Sequence, residues 1–143
     1  MICPLDQTEL QLSKLRGIEV ERCPACQGEW LEHAELAELE DQVLPEGVPK
    51  GTVHFGDQPS GRSCPHCSEE MIRFRYRGWP LELERCPDDA GYWLDDGEEK
   101  RIRDFMKERQ SRLSRSASAE RLWHAARTNR RRGLWDRLKD MFR

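Results

Sequence analysis

Six cysteines and two aspartates occupy a repeated four-ligand frame. The first copy has Cys3-Pro-Leu-Asp6 and, after sixteen residues, Cys23-Pro-Ala-Cys26. The second copy has Cys64-Pro-His-Cys67 and, after eighteen residues, Cys86-Pro-Asp-Asp89. When the copies are aligned, Asp6 falls on Cys67 and Asp89 falls on Cys26. Each copy therefore offers three thiolates and one carboxylate, and paired Cys-x-x-Cys elements at this separation are typical of zinc sites.

This donor set predicts two Zn²⁺ ions per chain. Thiolate and carboxylate are both zinc ligands, and four of them close a tetrahedral site. Because no coordination position would stay open, we expect structural rather than catalytic metal. Backbone N–H groups of the Cys-Pro-x-Cys turns should donate to the sulfurs. The predicted ligands are Cys3, Asp6, Cys23 and Cys26 in the first site and Cys64, Cys67, Cys86 and Asp89 in the second.

Cys64-Pro-His-Cys67 also matches a redox tetrapeptide, which needs a preceding strand and a βαβ setting. We expect a loop upstream, over residues 56–63, and a hairpin downstream, so zinc is favoured. The sequence contains no glycine-rich phosphate loop and no nucleophile elbow. We expect neither an enzyme nor a small-molecule substrate.

The residues between the ligand pairs predict β-hairpins. In the second copy Ile72, Phe74 and Tyr76 alternate with arginines, and a Gly-Trp-Pro turn follows. The outer arginine and glutamate rows favour a cross-strand salt ladder over a phosphate-binding stripe. Trp30 and Trp93 are predicted to lie in the core beside the metal. A helix is expected over residues 31–43, with Leu31, Leu39 and Val43 on its buried side.

Both copies resemble the transcription-factor-IIB-type zinc-ribbon family. The resemblance rests on Cys-Pro-x-Cys, a hairpin with a glycine turn, and a second knuckle followed by Gly-x-Trp-Leu-Glu/Asp, and it covers residues 3–36 and 64–99. It implies zinc ligation by the six cysteines and a zinc-ribbon fold. Asp6 and Asp89 stand where the family usually has cysteine. The family does not fix a function.

Together these features predict a small α+β, metal-stabilised protein. We expect a zinc ribbon with its helix at residues 1–43, a Pro/Gly linker at 44–62, a second ribbon with its helix at 63–110, and a basic tail at 111–143. Modules of about 40 residues rarely build a sufficient apolar core and commonly need metal.

The tail differs in charge from the ribbons. Residues 1–99 contain 9 Lys/Arg against 22 Asp/Glu, whereas residues 100–143 contain 15 against 5. Serines at 111, 114, 116 and 118 predict a break between helical segments. The last segment predicts an amphipathic helix whose apolar face consists of Leu134, Trp135, Leu138, Met141 and Phe142. The cluster Arg130, Arg131 and Arg132 precedes it.

These observations predict a cytoplasmic, non-enzymatic adaptor that docks a partner protein, with a transcriptional role suggested only by the family's name. From the start Met1-Ile2-Cys3 we expect no signal peptide. Two alternatives remain open for the tail: nucleic acid, and an anionic membrane surface. The terminal helix would otherwise dock on its own ribbons. Trp79, at the hairpin tip, is either an interface anchor or folds back over Tyr76.

Overall fold

The computed structural model describes residues 1–44 and 52–141, with side chains described up to Arg127. It confirms a small α+β fold with two helices. The elements, in chain order, are β1 (Gln11–Leu15), β2 (Ile18–Arg22), β3 (Glu29–Glu32), α1 (His33–Asp41), β4 (His54–Ser63), β5 (Glu70–Tyr76), β6 (Glu82–Arg85), β7 (Gly91–Leu94) and α2 (Glu98–Met141).

The two ribbons share one seven-stranded sheet. Its order is β1-β2-β3-β7-β6-β5-β4, so the ribbons meet where β3 pairs with β7 in an antiparallel manner. In that register Trp30 lies opposite Trp93, the residue with which it aligns in the repeat. The pairing is therefore symmetric about the two tryptophans, as in a dimer of identical chains.

Each predicted hairpin is present, and both reverse direction at an Arg-Gly pair, although the second loop is two residues longer. Arg16 and Gly17 have φ of 52° and 95°, and the aligned Arg77 and Gly78 have φ of 53° and 73°. Two successive positive φ values match the right-handed twist of the strands. The salt ladder is also confirmed in part, because Arg73 lies opposite Glu84 and their charged groups are 3.4 Å apart.

Helix α1 and the first turns of α2 cover one side of the sheet. Leu36 and Leu39 of α1 and Ile102 and Met106 of α2 are buried in a core that contains residues of both ribbons. The predicted helix over residues 31–43 is corrected to His33–Asp41, because Leu31 belongs to β3 and only then does the chain turn.

In the first turn of each helix a glutamate side chain caps the preceding backbone. The N–H of Glu32 donates to Glu35, and the N–H of the aligned Asp95 donates to Glu98, at 2.8 and 2.9 Å. Glu35 and Glu98 are aligned in the repeat, and each satisfies a backbone donor at the start of its helix.

The predicted linker at residues 44–62 is wrong over much of its length. Residues 54–63 form β4, which pairs with β5 at the edge of the sheet, and residues 45–51 lie outside the described part. Pro59 fits because β4 is an edge strand, and register shifts accommodate the glycines and proline that predicted a loop.

The predicted break in the tail is also wrong. Helix α2 continues through the serines, and the Ser118 hydroxyl donates to the carbonyl of Ser114 at 2.9 Å. A serine hydroxyl that bonds one turn back is compatible with a helix.

The chain divides into two compact units, residues 1–107 and residues 108–143. The boundary does not fall at a linker between the ribbons.

A buried glutamate joins the first ribbon to the second. Glu40 of α1 is 1% exposed and accepts hydrogen bonds from the hydroxyl of Tyr76 and from Arg77 Nη2, the latter at 3.1 Å. The Arg77 side chain is itself only 9% exposed.

We expect Glu40→Ala to lower the free energy of unfolding by about 3–5 kcal/mol, because it leaves the Arg77 guanidinium buried without its charge partner. Urea unfolding of the zinc-loaded protein measures this loss. Glu38→Ala, an exposed site on the same helix, is the matched control and should change stability by less than about 0.5 kcal/mol. Equal effects of the two substitutions would contradict the assignment.

Candidate metal centres

The first cluster consists of the four residues predicted from the sequence. One donor atom from each of Cys3, Asp6, Cys23 and Cys26 lies within 4.8 Å of all the others. The Cys3 and Cys26 sulfurs are 3.5 Å apart, and an Asp6 carboxylate oxygen is 3.3 Å from the Cys23 sulfur. Zinc–sulfur bonds of about 2.3 Å in a tetrahedron place two sulfurs about 3.8 Å apart. The donor set and its spacing therefore fit zinc.

Two tight turns position these donors. Each is a knuckle closed by a backbone hydrogen bond to the carbonyl of its leading cysteine, from Gln7 to Cys3 at 3.1 Å and from Gln27 to Cys23 at 3.0 Å. The backbone N–H groups of Leu5 and Ala25 point at the sulfurs of Cys3 and Cys23, each at 3.4 Å. The predicted backbone donors are present, and they would offset the negative charge of a thiolate-rich site.

The charge state of the first cluster follows from its surroundings. Burial raises the pKa of the Cys3 thiol to about 12, so zinc must displace a proton from this sulfur when it binds. The backbone N–H of Thr8 donates to Asp6 at 2.9 Å and lowers the pKa of that carboxyl to about 2. Asp6 is therefore ionised at neutral pH, which is the form that binds metal.

The second cluster contains three cysteines. The sulfurs of Cys64, Cys67 and Cys86 converge within 4.8 Å, with Cys67 and Cys86 3.6 Å apart. Burial raises the pKa of the Cys64 thiol to about 12, and the N–H of His66 donates to that sulfur at 3.4 Å. These residues fit zinc in the same way as the first set.

Asp89 does not join this cluster, so the prediction that it is the eighth ligand is corrected. Its side chain is 73% exposed, and its carboxylate lies 3.0 Å from Nε2 of His33 in the first ribbon. The Asp89 carbonyl oxygen is also within 2.8 Å of that nitrogen. The carboxylate thus faces a neighbouring helix instead of the sulfurs.

The cause is a different backbone turn. In the other three knuckles the left-handed residue is the fourth after the leading cysteine, namely Gln7, Gln27 and Ser68. In the fourth knuckle it is the third, Asp89, with φ of 59°, and the turn closes from Asp89 N–H to Cys86 O at 3.2 Å. Because the ligand position itself takes the left-handed conformation, its Cα–Cβ bond points elsewhere. The sequence gives no signal of this change beyond the aspartate itself.

The tryptophans lie among the cysteines, as predicted, but each reaches into the other copy. Trp30 stacks on His66 of the second cluster, with ring centroids 6.4 Å apart and planes 13° apart. Trp93 contacts Gly28, two residues after Cys26. Both clusters and both tryptophans form one buried group. The spacing of the ligands could not predict that each tryptophan packs in the other copy, nor that His33 contacts Asp89.

Trp79 packs against the helix-side core and not against the group that contains the cysteines. Trp79 packs edge-on against Tyr76 at 5.7 Å and stacks on Phe105 at 4.9 Å, so it folds back onto the core, which is the second of the two predicted alternatives. The side chains of the tail residues predicted to bind a partner or an anionic surface lie outside the described part; they are Arg130, Arg131, Arg132, Leu134, Trp135, Leu138, Met141 and Phe142.

Hairpins that carry cysteine knuckles around a compact set of metal donors are typical of a zinc ribbon, and this chain brings two such cysteine clusters together on one sheet. Residues 2–42 match the family model described as transcription factor zinc-finger, which confirms the resemblance for the first copy. The match does not extend to the second copy, which stays a prediction supported by its alignment with the first and by the symmetric pairing of β3 with β7. No curated protein and no solved structure was found to match the chain.

The two aspartates should differ in their effect on metal retention. Asp6→Ala should speed the loss of zinc to a chromogenic chelator, by roughly tenfold or more if one ligand bond is lost (about 1.4 kcal/mol per tenfold change). Asp89→Ala should leave the rates of zinc loss from both sites within about twofold of those of the parent. The untreated protein should contain two equivalents of zinc by elemental analysis. Equal acceleration by both substitutions would show that Asp89 also binds the metal.

Proposed function

We propose that this chain is a non-enzymatic zinc-binding adaptor. The paired ribbons would form its zinc-stabilised domain, and helix α2 would dock a partner protein. The observation that carries the proposal is the exposure of large apolar side chains on the helix. Leu113, Leu122 and Trp123 are 44%, 72% and 58% exposed. Leu122 and Trp123 are neighbours and the more exposed of the three, and a contiguous exposed apolar patch commonly marks an interaction surface.

The exposed part of the helix also carries residue types that are common at protein interfaces. The side chains of residues 111–127 are all exposed, and Met106 is the last buried one. Arg127 lies over the ring of Trp123, with its guanidinium carbon 5.2 Å from the centroid. Tryptophan and arginine are the residues most enriched among those that dominate binding energy at protein interfaces.

The ribbons themselves support a structural role for the metal. In the first cluster four protein donors converge, enough to close a tetrahedral site, and both clusters are packed with tryptophan in a buried group. A site closed by four protein ligands contributes folding energy rather than chemistry. A cytoplasmic location, where thiols stay reduced and bind metal instead of forming disulfides, suits six cysteines used in this way.

Nucleic acid is the second candidate, because the segment from residue 100 carries 15 Lys/Arg against 5 Asp/Glu. The acidic ribbons do not favour phosphate, so any such binding would use the helix.

An anionic membrane surface is the third candidate partner. None of the helices in the described part of the chain combines the length and apolar character needed to cross a membrane.

Site-specific photo-crosslinking in the native cell tests the proposal. A crosslinking residue at Leu122 should capture one defined protein, whereas the same residue at Leu12 should not. Leu12 is the matched control because it is also 72% exposed but lies on β1 of the first ribbon. The captured protein, once identified and purified, should bind the full chain and lose at least tenfold in affinity with Trp123→Ser.

The alternatives predict different results. An adduct that nuclease removes, with affinity that falls steeply as salt rises, would indicate nucleic acid. Flotation of the full chain with anionic liposomes, abolished by Trp123→Ser, would indicate a membrane surface. Capture from Leu12 alone would assign the interaction to the ribbons.

A further inference from the structure

The two metal clusters differ in the number of protein donors they bring together. Four donors converge in the first, whereas in the second, among the residues that the structure describes, three sulfurs converge and no fourth His, Cys, Asp or Glu atom joins them. Zinc prefers four ligands, and a site with three protein ligands keeps a position for a ligand from outside.

Asp89 is the residue best placed by sequence to supply the fourth donor, and two independent features keep it away. Its backbone is left-handed at the ligand position, unlike that of Asp6, Cys26 and Cys67 in the other knuckles. In addition, its carboxylate and its carbonyl oxygen both contact Nε2 of His33, at 3.0 and 2.8 Å. A movement toward the sulfurs would break the carboxylate contact and alter the turn.

One cysteine of the second cluster is partly exposed. Cys64 and Cys86 are buried, whereas Cys67 is half-buried and Asp89 is exposed. The cavity next to Asp89, of about 350 Å³, is lined by His33, His54, Asp89 and Tyr92, together with Ala37, Glu40 and Thr52, and by none of the three cysteines. Because Cys67 is only half-buried, a small ligand can approach the cluster at that residue.

We propose that the second site holds zinc by Cys64, Cys67 and Cys86 alone and offers its fourth coordination position to a thiol from outside the ribbons. This inference depends on the zinc binding supported above and is independent of the adaptor role. Thiolate is the donor chosen because zinc binds it well and the three resident ligands are already of that type. In the exchange the thiol loses its proton to solvent, a zinc–sulfur bond forms, and the bond to the previous external ligand breaks, with no change in oxidation state.

Cadmium-113 NMR of the full chain loaded with two equivalents of ¹¹³Cd²⁺ tests this. The probe is mercaptoethanol, with a phosphine reductant so that no other thiol is present. We expect two resonances, of which one moves to higher frequency as thiol is added, because sulfur replaces a lighter donor. Asp89→Ala should give the same titration. In Asp6→Ala both resonances should respond, since the first site then also lacks a fourth protein ligand.

Three results would overturn the proposal. If neither resonance moves in the parent but one moves in Asp89→Ala, Asp89 closes the site once metal is bound. If one moves only in His66→Ala, the fourth ligand is His66. No movement in any of these proteins would show that the position takes no thiol.

His33 is assigned a positioning role, and it has its own test. In His33→Ala the released Asp89 carboxylate should compete for the position, so that several-fold more thiol is needed for the same shift. The double variant His33→Ala with Asp89→Ala should return to the parent titration. An unchanged titration in His33→Ala would show that His33 does not hold Asp89 away from the metal.

Discussion

Loss of one zinc ion should unfold both ribbons in a single transition. Cys86→Ala removes a ligand of the second site, yet its effect should reach the first ribbon, because the clusters share one buried group and β3 pairs with β7. Structural zinc contributes roughly 10–16 kcal/mol in finger peptides, which is comparable to the whole stability of a small domain. We therefore expect Cys86→Ala to be largely unfolded from residue 1 to residue 107.

Amide hydrogen exchange read at individual residues measures this effect. Val20, which is fully buried in the first ribbon, should lose its protection together with Leu83 in the second. Asp88→Ala, an exposed site in the same knuckle as Cys86, should leave both protected. Persistent protection of Val20 in Cys86→Ala would show that the ribbons fold independently, as a linker between them would imply.

Replacing Gly91 by alanine should have the second largest effect. A Cβ at this position would lie 2.3 Å from the backbone oxygen of Leu31, in the strand of the other ribbon. That oxygen belongs to the β3–β7 pairing and cannot move without separating the strands. We expect the free energy of unfolding to fall by about 3 kcal/mol or more, at the upper end of overpacking costs.

The aligned Gly28 provides a graded comparison. A Cβ there would lie 2.3 Å from a ring carbon of Trp93, so the obstacle is a side chain. Gly28→Ala should cost about 2 kcal/mol, and Trp93→Phe in the same chain should recover part of that cost because the contacting ring carbon is gone. Thermal and urea unfolding of the single and double variants measure the coupling.

Gly17→Ala serves as the control for conformational strain. A Cβ at Gly17 meets nothing within 4 Å, but its φ is 95°. Its substitution should cost about 1 kcal/mol from backbone strain alone. A cost for Gly91→Ala no greater than that for Gly17→Ala would contradict the close approach of the two ribbons.

The ligand pairs, the hairpins and the metal could be predicted from the sequence because they depend on local spacing. A knuckle needs only Cys-Pro-x and one further donor, and a hairpin of alternating apolar residues needs only its turn. Seven of the eight predicted ligands come together for this reason. The one error, Asp89, arises from the turn at residues 86–89, where a shift of the left-handed position by one residue redirects the side chain.

What the sequence by itself determined, therefore, is two zinc-binding modules of one kind. Only the tertiary structure decided how they combine, because strand pairing between distant segments depends on which edges remain free after each hairpin has formed. β3 and β7 are such edges, and their pairing places Trp30 opposite Trp93 and brings His33 to Asp89. It also makes residues 54–63 an edge strand instead of a linker, since β5 offered a second free edge to a segment whose prolines and glycines indicate a loop.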